Sequence, residues 1–151
     1  MPLSIKTEYK NILVATDLHD KDGLPAPKTA IALAKQYDSK VTIISVAPKI
    51  PTYMGPGLNS MVSLKNRMLQ EAEAKIAYLK KHIDFPAEYM TAYGVVAQEI
   101  VKAAKKMNAD LIVIGSHGHQ GVRKILGSTV SMVLNDAPCN VMVVRISKKS
   151  K

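Results

Sequence analysis

The sequence predicts an α/β fold in which a mostly parallel, five-stranded open sheet carries helices on both faces. Five short apolar segments alternate with four segments of helical periodicity, and parallel neighbours require crossover connections of that kind. The length of 151 residues and the hydrophobic content of 47% suit one compact domain with its own core. No internal repeat is visible, so we treat residues 1–151 as a single domain.

The first half of the chain contains four predicted segments: two strands, a helix and a loop. A short apolar run ending before Asp17 predicts a strand at Asn11–Thr16. Apolar residues at helical spacing, opened by two prolines, predict a helix at Pro25–Tyr37. β-Branched residues predict a strand at Val41–Val46. Three prolines and two glycines predict a mobile loop over Ala47–Ser60, before the next helix.

The second half continues the alternation. Apolar residues at three- and four-residue steps predict the longest helix at Met61–Ile83, with its lysines on the outer face. The remaining predicted elements are a strand at Glu88–Tyr93, a helix at Val95–Met107, a buried strand at Leu111–Ile114, a short helix at Thr129–Asn135 and a last strand at Asn140–Arg145. About residues 1–9 and 147–151 are predicted to be flexible tails.

The composition narrows the function classes. A formal net charge of +9 attracts phosphates of any kind, whether of nucleotides, nucleic acids or membranes. One phenylalanine and no tryptophan leave few platforms for stacking single-stranded nucleic acid, which disfavours that partner. The single cysteine excludes a disulfide framework or a paired-cysteine metal site. We expect no membrane span, no secretion signal and a cytoplasmic location.

The residues with the strongest functional signal follow the fourth predicted strand. The segment from Gly115 to Thr129 reads GSHGHQGVRKILGST and leads from a strand into a helix. Its glycines allow a ligand to approach the backbone closely, and a helix start offers N–H groups and a positive dipole to a phosphate. Arg123 is one of the cationic residues nearby. A plain glycine-rich loop with Ser128 or Thr129 as helix N-cap explains the segment equally well.

Asp17, directly after the first predicted strand, is the second signal. An acid at the carboxyl end of a parallel strand can accept hydrogen bonds from ribose or hold a metal. A turn aspartate is the alternative, because Asp20, Asp22 and Gly23 follow. The two signals support each other, since the first and fourth strands flank the expected change in strand order. His117 reads either as a loop residue bonded to the backbone or as an acid–base group.

Other nucleotide-site motifs are absent from the sequence. No GxGxxG follows the first strand, and there is no GxxxxGK[ST] phosphate loop. The predicted ends of strands three and five lack the aspartate and lysine of a phospho-receiver domain, and no G-x-S-x-G is present. We therefore assign no catalytic residue and no dedicated metal ligands.

Four segments carry a family resemblance: NILVATD, VTIISV, ADLIVIGSHG (Ala109–Gly118) and GSTVSMVLNDAPCNVMVVR (Gly127–Arg145). They resemble the universal stress protein family over nearly the whole chain. The nucleotide-binding branch of that family carries G-x2-G-x9-G-[S/T]. Here the glycines match, but eight residues rather than nine separate Gly118 from Gly127. That shortened loop looks like the spacing in a bacterial subgroup, some of whose members bind ATP.

The resemblance implies a Rossmann-like, three-layer α/β/α fold with strand order 3-2-1-4-5, and dimerisation through the last strand at Asn140–Val144. It implies ATP as the ligand, with Mg²⁺ or Mn²⁺ as a metal that could bridge the phosphates. The binding residues it implies are Ala15, Thr16, Asp17 and Val46 for adenine and ribose, and Gly115, Gly118, Gly127, Ser128 and Thr129 for ribose and phosphates, with His117 and Arg123 completing the set.

Three functions remain open at this stage. The favoured one is a dimeric, ATP-binding stress-response or regulatory protein that acts as a nucleotide-dependent binding module toward an unidentified protein partner. The second is a slow ATP hydrolase or phosphotransferase that uses Asp17 to hold Mg²⁺ and His117 or His119 as the acid–base group. The third is an adaptor that binds proteins or nucleic acid without a small ligand.

Overall fold

The computed structural model describes residues 8–16, 24–49, 58–116 and 127–146. Within them the elements are β1 (Asn11–Thr16), α1 (Pro25–Tyr37), β2 (Lys40–Pro48), α2 (Leu58–His82), β3 (Glu88–Gly94), α3 (Val96–Met107), β4 (Leu111–Ser116), α4 (Ser128–Asp136) and β5 (Asn140–Arg145). None of the helices in these ranges combines the length and the apolarity that a membrane crossing requires. The predicted alternation of five strands with four helices is confirmed.

All five strands pair in parallel, in the order β3-β2-β1-β4-β5. Ala15 of β1 lies between Ile44 of β2 and Ile114 of β4. The chain builds outward from β1 to β3 and then returns to place β4 on the other side of β1. The change in strand order therefore falls between β1 and β4, and the Rossmann-like topology is confirmed.

Two hydrophobic cores sandwich the sheet. Leu13, Ile44 and Ile112 face α3 and α4, whereas their neighbours Ile12 and Val113 face α1 and α2. Successive side chains of a strand point to opposite faces, so a strand covered on both sides must be apolar throughout. This explains why the central strands read as uninterrupted apolar runs and were predictable from sequence.

The segment predicted as a mobile loop over Ala47–Ser60 contains regular structure at both of its ends. Ala47 and Pro48 extend β2 and pair with Tyr93 and Gly94 of β3. A proline is tolerated there because β1 ends beside Ser45, so this end of β2 has a strand neighbour on one side only. At the other end α2 begins at Leu58 rather than at Met61. Residues 50–57 lie outside the described ranges.

The N-terminal tail is also shorter than predicted, because Tyr9 is packed. Its ring meets that of Tyr37 edge to face, with the centroids 6.0 Å apart. Its hydroxyl accepts a hydrogen bond from Asn140 Nδ2 at 3.2 Å, and its carbonyl accepts one from the Ser39 hydroxyl. Tyr9 thus ties together α1, β5 and the turn before β2. Residues 1–7 and 147–151 lie outside the described ranges.

Candidate functional site

A cavity of about 240 Å³ opens at the carboxyl ends of β1, β2 and β4. Ala15 and Thr16 reach it from β1, Val46 from β2 and Gly115 from β4. The helices that follow β1 and β4 lie on opposite faces of the sheet, and among the described residues the space between these two strand ends is open. The cavity therefore lies where open parallel α/β sheets bind their ligands.

The walls of the cavity are mostly apolar. Val96 and Ile100 of α3 and Val130 of α4 form one wall, and Leu24 and Pro27 at the start of α1 form the other. A cavity with apolar walls and a few polar groups at its rim suits a ligand with a flat, weakly polar ring and a polar tail. These wall residues were not predicted as site residues, because apolar residues at helical spacing equally indicate ordinary core packing.

Leu24 reaches the cavity through an unusual backbone conformation. It precedes α1 with φ 51° and ψ 53°, the left-handed region that β-carbon-bearing residues rarely adopt, and makes no side-chain cap. Pro25 then occupies the first helical position, where its missing N–H does no harm. The Leu24 side chain is buried against Ala26 and the core of the α1–α2 face. That burial holds the strained residue in place at the cavity wall.

The start of α4 supplies polar groups beside the cavity. Gly127 is its N-cap and has no side chain to satisfy the N–H groups of the first turn. Ser128 and Thr129 are therefore the first two helical residues, and the alternative that one of them is the N-cap is wrong. The first-turn N–H groups, which receive no side-chain cap from Gly127, and the positive end of the helix dipole together favour an anion at this point.

The two described glycines of the predicted loop are glycine for different reasons. A β-carbon on Gly115 would lie 2.5 Å from Ile146 Cδ1, so this glycine makes room for a side chain of the protein itself. A β-carbon on Gly127 would meet no atom of the described residues within 4 Å. The backbone of Gly127, with φ −63° and ψ 160°, is also open to any residue. Neither its backbone conformation nor packing against the described residues requires glycine at 127.

The Thr16 hydroxyl group belongs to a residue that lines the cavity, and Ser45 lies beside Thr16 on β2. Thr16 Oγ1 donates a hydrogen bond to the carbonyl of Ile44 at 3.3 Å, which fixes its side chain against β2. Ser45, its neighbour across the sheet, is fully buried, and its Oγ has no hydrogen-bond partner among the described residues. Within the described residues, Ser45 Oγ is thus an exception to the usual pairing of buried polar groups.

The structure brings together five of the predicted site residues and locates two more beside them. The lining residues are Ala15, Thr16, Val46, Gly115 and Thr129. Gly127 and Ser128 begin the adjacent helix. Asp17, His117, Gly118 and Arg123 lie outside the described ranges, so their place at the site stays a prediction.

Lys75 lines the cavity, although the helical pattern predicted it on the outer face of α2. Its side chain is half-buried and lines the cavity, whereas the lysines of the long helix were predicted on the outer face. That prediction fits Lys65 and Lys80, which are exposed. The spacing of Lys75, three residues after Ala72 and four before Leu79, was the signal that could have found it, since both neighbours are fully buried.

The titratable groups with perturbed pKa values lie away from the cavity. Burial raises the pKa of the Cys139 thiol, and the nearby charge of Asp110 raises it further. Burial also raises the pKa of the Tyr89 phenol. In the ranges that the structure covers, no three histidine, cysteine, aspartate or glutamate side chains cluster in a way that could hold a metal ion.

The sequence of the chain is similar to those of known proteins. The sequence profile of the universal stress protein family matches residues 8–145. The chain is 35% identical over 147 residues to a universal stress protein of Methanocaldococcus jannaschii, an alignment that covers 93% of this chain and 85% of that relative.

Solved structures share the fold. UspA from Lactobacillus plantarum is 28% identical, with a TM-score of 0.77 over 93% of this chain and 100% of its own. A universal stress protein solved in complex with cAMP is 21% identical, with a TM-score of 0.59 over 91% of this chain and 98% of its own. The Archaeoglobus fulgidus protein solved in complex with dAMP is also 21% identical, with a TM-score of 0.54 over 90% and 98%.

Proposed function

This chain belongs to the universal stress protein family, and we propose that it is an adenine-nucleotide-binding protein whose ligand is ATP. In this proposal bound ATP sets the conformation of a dimeric module that engages a protein partner in a cytoplasmic stress response. The observation that carries the proposal is the mostly apolar cavity at the carboxyl ends of β1, β2 and β4, with the uncapped start of α4 beside it.

Different parts of the cavity suit the different chemical groups of a nucleotide. The apolar walls, with Val46 on one strand end and Val96 and Val130 on the helices, suit the faces of an adenine ring. The first-turn N–H groups of α4 suit phosphate oxygens. Asp17, the residue after β1, would accept from the ribose hydroxyls. The cAMP and dAMP complexes of two proteins with this fold support adenine as the base.

A metal ion would enter this site with the phosphates. Mg²⁺ and Mn²⁺ prefer oxygen ligands and are often held by substrate phosphates and one or two carboxylates. Asp17 is the carboxylate that the sequence places nearest to the end of β1. Its task in the proposal is to hold the ribose or the metal, and no step of chemistry is assigned to it.

The experiment is to identify and count the nucleotide that the protein holds. Mass spectrometry of small molecules released from purified, denatured protein should detect adenine nucleotide, and calorimetry of nucleotide-free protein should show one ATP site per chain. Binding of GTP as tight as that of ATP would contradict the assignment of adenine. ATP turnover measured on the same sample tests the alternative, because a rate well above trace would make the protein an enzyme rather than a binding module.

The homodimer in this proposal forms along β5, which lies at the edge of the sheet. The Val143 side chain packs into the core of the α3–α4 face and that of Val144 into the opposite core. Ile146 donates its N–H to Ser116 of β4 at 2.9 Å. Because N–H groups alternate in direction along a strand, the N–H of Val144 also points to β4 and that of Val143 points away from the sheet. An outward row of this kind favours pairing with a second β5.

Val143→Pro tests that pairing by removing a single backbone N–H donor. Proline removes an N–H that the chain's own sheet does not use, so we expect the subunit to stay folded while the dimer dissociation constant rises by roughly tenfold or more. Val143→Ala is the matched control, since it loses the same side-chain packing but keeps the donor. Sedimentation velocity measures both variants. A wild type that is monomeric at micromolar concentration, or a proline variant that dimerises like the alanine variant, would contradict an interface on β5.

A further inference from the structure

Lys75 occupies a position of α2 where the helix pattern calls for an apolar residue. Ala72 lies three residues before it and Leu79 four residues after it, and both are completely buried. Residues at these spacings share one face of a helix, so Lys75 belongs to the face with which α2 packs on the sheet. Lysine is rarely placed on such a face, because desolvating an ammonium is unfavourable unless water or an anion meets it.

The surroundings of Lys75 explain how the position is tolerated and what it offers. Its side chain lines the cavity, and it is the one charged side chain that does so among the described residues. Its ammonium lies 5.8 Å from the centroid of the Tyr78 ring, and that residue is 42% exposed. The Lys75 side chain is half-buried, and its charge therefore lies near a ring that solvent partly reaches.

Lys75 and α4 approach the cavity from opposite faces of the sheet. α2 packs with the core that contains Ile12 and Val14, whereas α4 packs with the core that contains Leu13 and Ala15. An anionic ligand at the strand ends would meet the positive start of a helix on one side and an ammonium on the other. Two sources of positive charge around an otherwise apolar cavity favour a ligand that carries phosphate.

We propose that Lys75 is a specificity-determining residue, whose ammonium pairs with a phosphate of the bound nucleotide and makes the cavity prefer nucleotides to nucleosides. The proposal rests on the ATP binding proposed above. The four-carbon stem of lysine allows the ammonium to turn from the Tyr78 ring toward a phosphate without movement of α2. Hydrogen bonds between charged partners are stronger than neutral ones, so the pair would add affinity only when a phosphate is present.

The test compares ATP with adenosine in calorimetric titrations of four proteins: the wild type, Lys75→Met, Lys75→Arg and Lys65→Met. We expect Lys75→Met to lose on the order of tenfold or more in ATP affinity while adenosine binding changes by less than about twofold. Lys75→Arg should retain most of the ATP affinity. Lys65→Met is the matched control, because it removes the same charge from an exposed site on the same helix, over the ring of Tyr93.

The outcomes separate this proposal from the one on which it rests. If the wild type binds ATP and Lys75→Met binds it equally well, or loses ATP and adenosine to the same extent, Lys75 does not select for phosphate, and the nucleotide site stands. If the wild type binds neither ligand, the proposed function falls and the role of Lys75 falls with it. Thermal melting establishes that each variant is folded, and Lys75→Gln replaces the methionine variant should that one fail to fold.

Discussion

The amino and carboxyl ends of the sheet differ in how polar side chains bond the backbone. At the amino end, the Asp110 carboxylate accepts the backbone N–H groups of Lys10 at 2.8 Å and Asn11 at 3.1 Å, and the Asn11 side chain donates to the Met107 carbonyl at 2.9 Å. At the carboxyl end, α4 starts without a side-chain cap beside an open cavity. The difference teaches that, within the described residues, polar side chains bond the backbone at the amino end, whereas the first turn of α4 at the carboxyl end has no side-chain cap.

Backbone conformation shows the same contrast. The left-handed residues at the amino end are Asp38 and Asn108, which end α1 and α3. Aspartate and asparagine adopt that conformation at modest cost. Among the described residues, Leu24 is left-handed at the carboxyl end, and its side chain has no such compensation and instead lines the cavity. Strained residues cluster at binding sites in proteins, and here the strain lies at the end with the cavity.

The largest expected effect concerns the closed end. Asp110→Ala removes the acceptor of two backbone N–H groups at the start of β1, which should lower the free energy of unfolding by about 2 kcal/mol. Asp110→Asn, which keeps one acceptor oxygen, should lose less. Urea denaturation measures the loss, and ATP affinity should not change in either folded variant. A loss below about 0.5 kcal/mol for the alanine variant would mean that the amino end is closed by other contacts.

The next effect contrasts the two glycines at the open end. Gly127→Val places a branched side chain in the space beside the α4 start, so ATP affinity should fall by about tenfold or more, with little loss of stability. Gly115→Ala should lower the free energy of unfolding by about 1 kcal/mol, at the low end for overpacking, because its β-carbon meets only the flexible end of the Ile146 side chain. Calorimetry measures the ATP affinity of both variants, and urea denaturation measures their free energies of unfolding. Unchanged ATP affinity in Gly127→Val would remove the α4 start from the site.

The sequence predicted the fold well where a residue's environment follows from its immediate neighbours. The bounds of β1, α1 and β5 agree with the prediction. Pro48 was misplaced because its tolerance depends on where β1 ends, which is a property of the assembled sheet. The general rule that ligands bind at the carboxyl strand ends indicated the position of the site.

The site itself was predictable only in part. Residues of a recognisable motif, such as Gly115 and Thr129, could be named in advance, and both line the cavity. Lys75 was missed, because its spacing from Ala72 and Leu79 allows an inward position but Ile76 fits the same stripe, and only packing against the sheet decides how deeply each is buried. Leu24 carries no local signal, since nothing in its sequence neighbourhood requires a left-handed leucine. Tertiary contacts determine both.

The smallest expected effect concerns the reactivity of the Cys139 thiol, which tests whether the amino end is closed. Cys139 precedes β5, is half-buried, and has a pKa raised first by burial and then by the charge of Asp110. Iodoacetamide reacts with the thiolate, so near neutral pH Cys139 should react more slowly in the folded protein than in urea, and Asp110→Asn should speed the folded reaction.

A raised thiol pKa favours the folded protein while the thiol is neutral. The contribution of Cys139 to stability is therefore present below the thiol's unfolded pKa, which is about 8.5, and is lost as the pH rises through the higher folded value. Cys139→Ser, whose hydroxyl does not titrate in this range, is the control and should show a smaller fall in stability between neutral and alkaline pH. Saturating ATP should leave the folded alkylation rate unchanged, because the ligand occupies the other end of the sheet. A rate that ATP slows strongly would show that the two ends are coupled, and the contrast between a closed amino end and an independent open end would then fail.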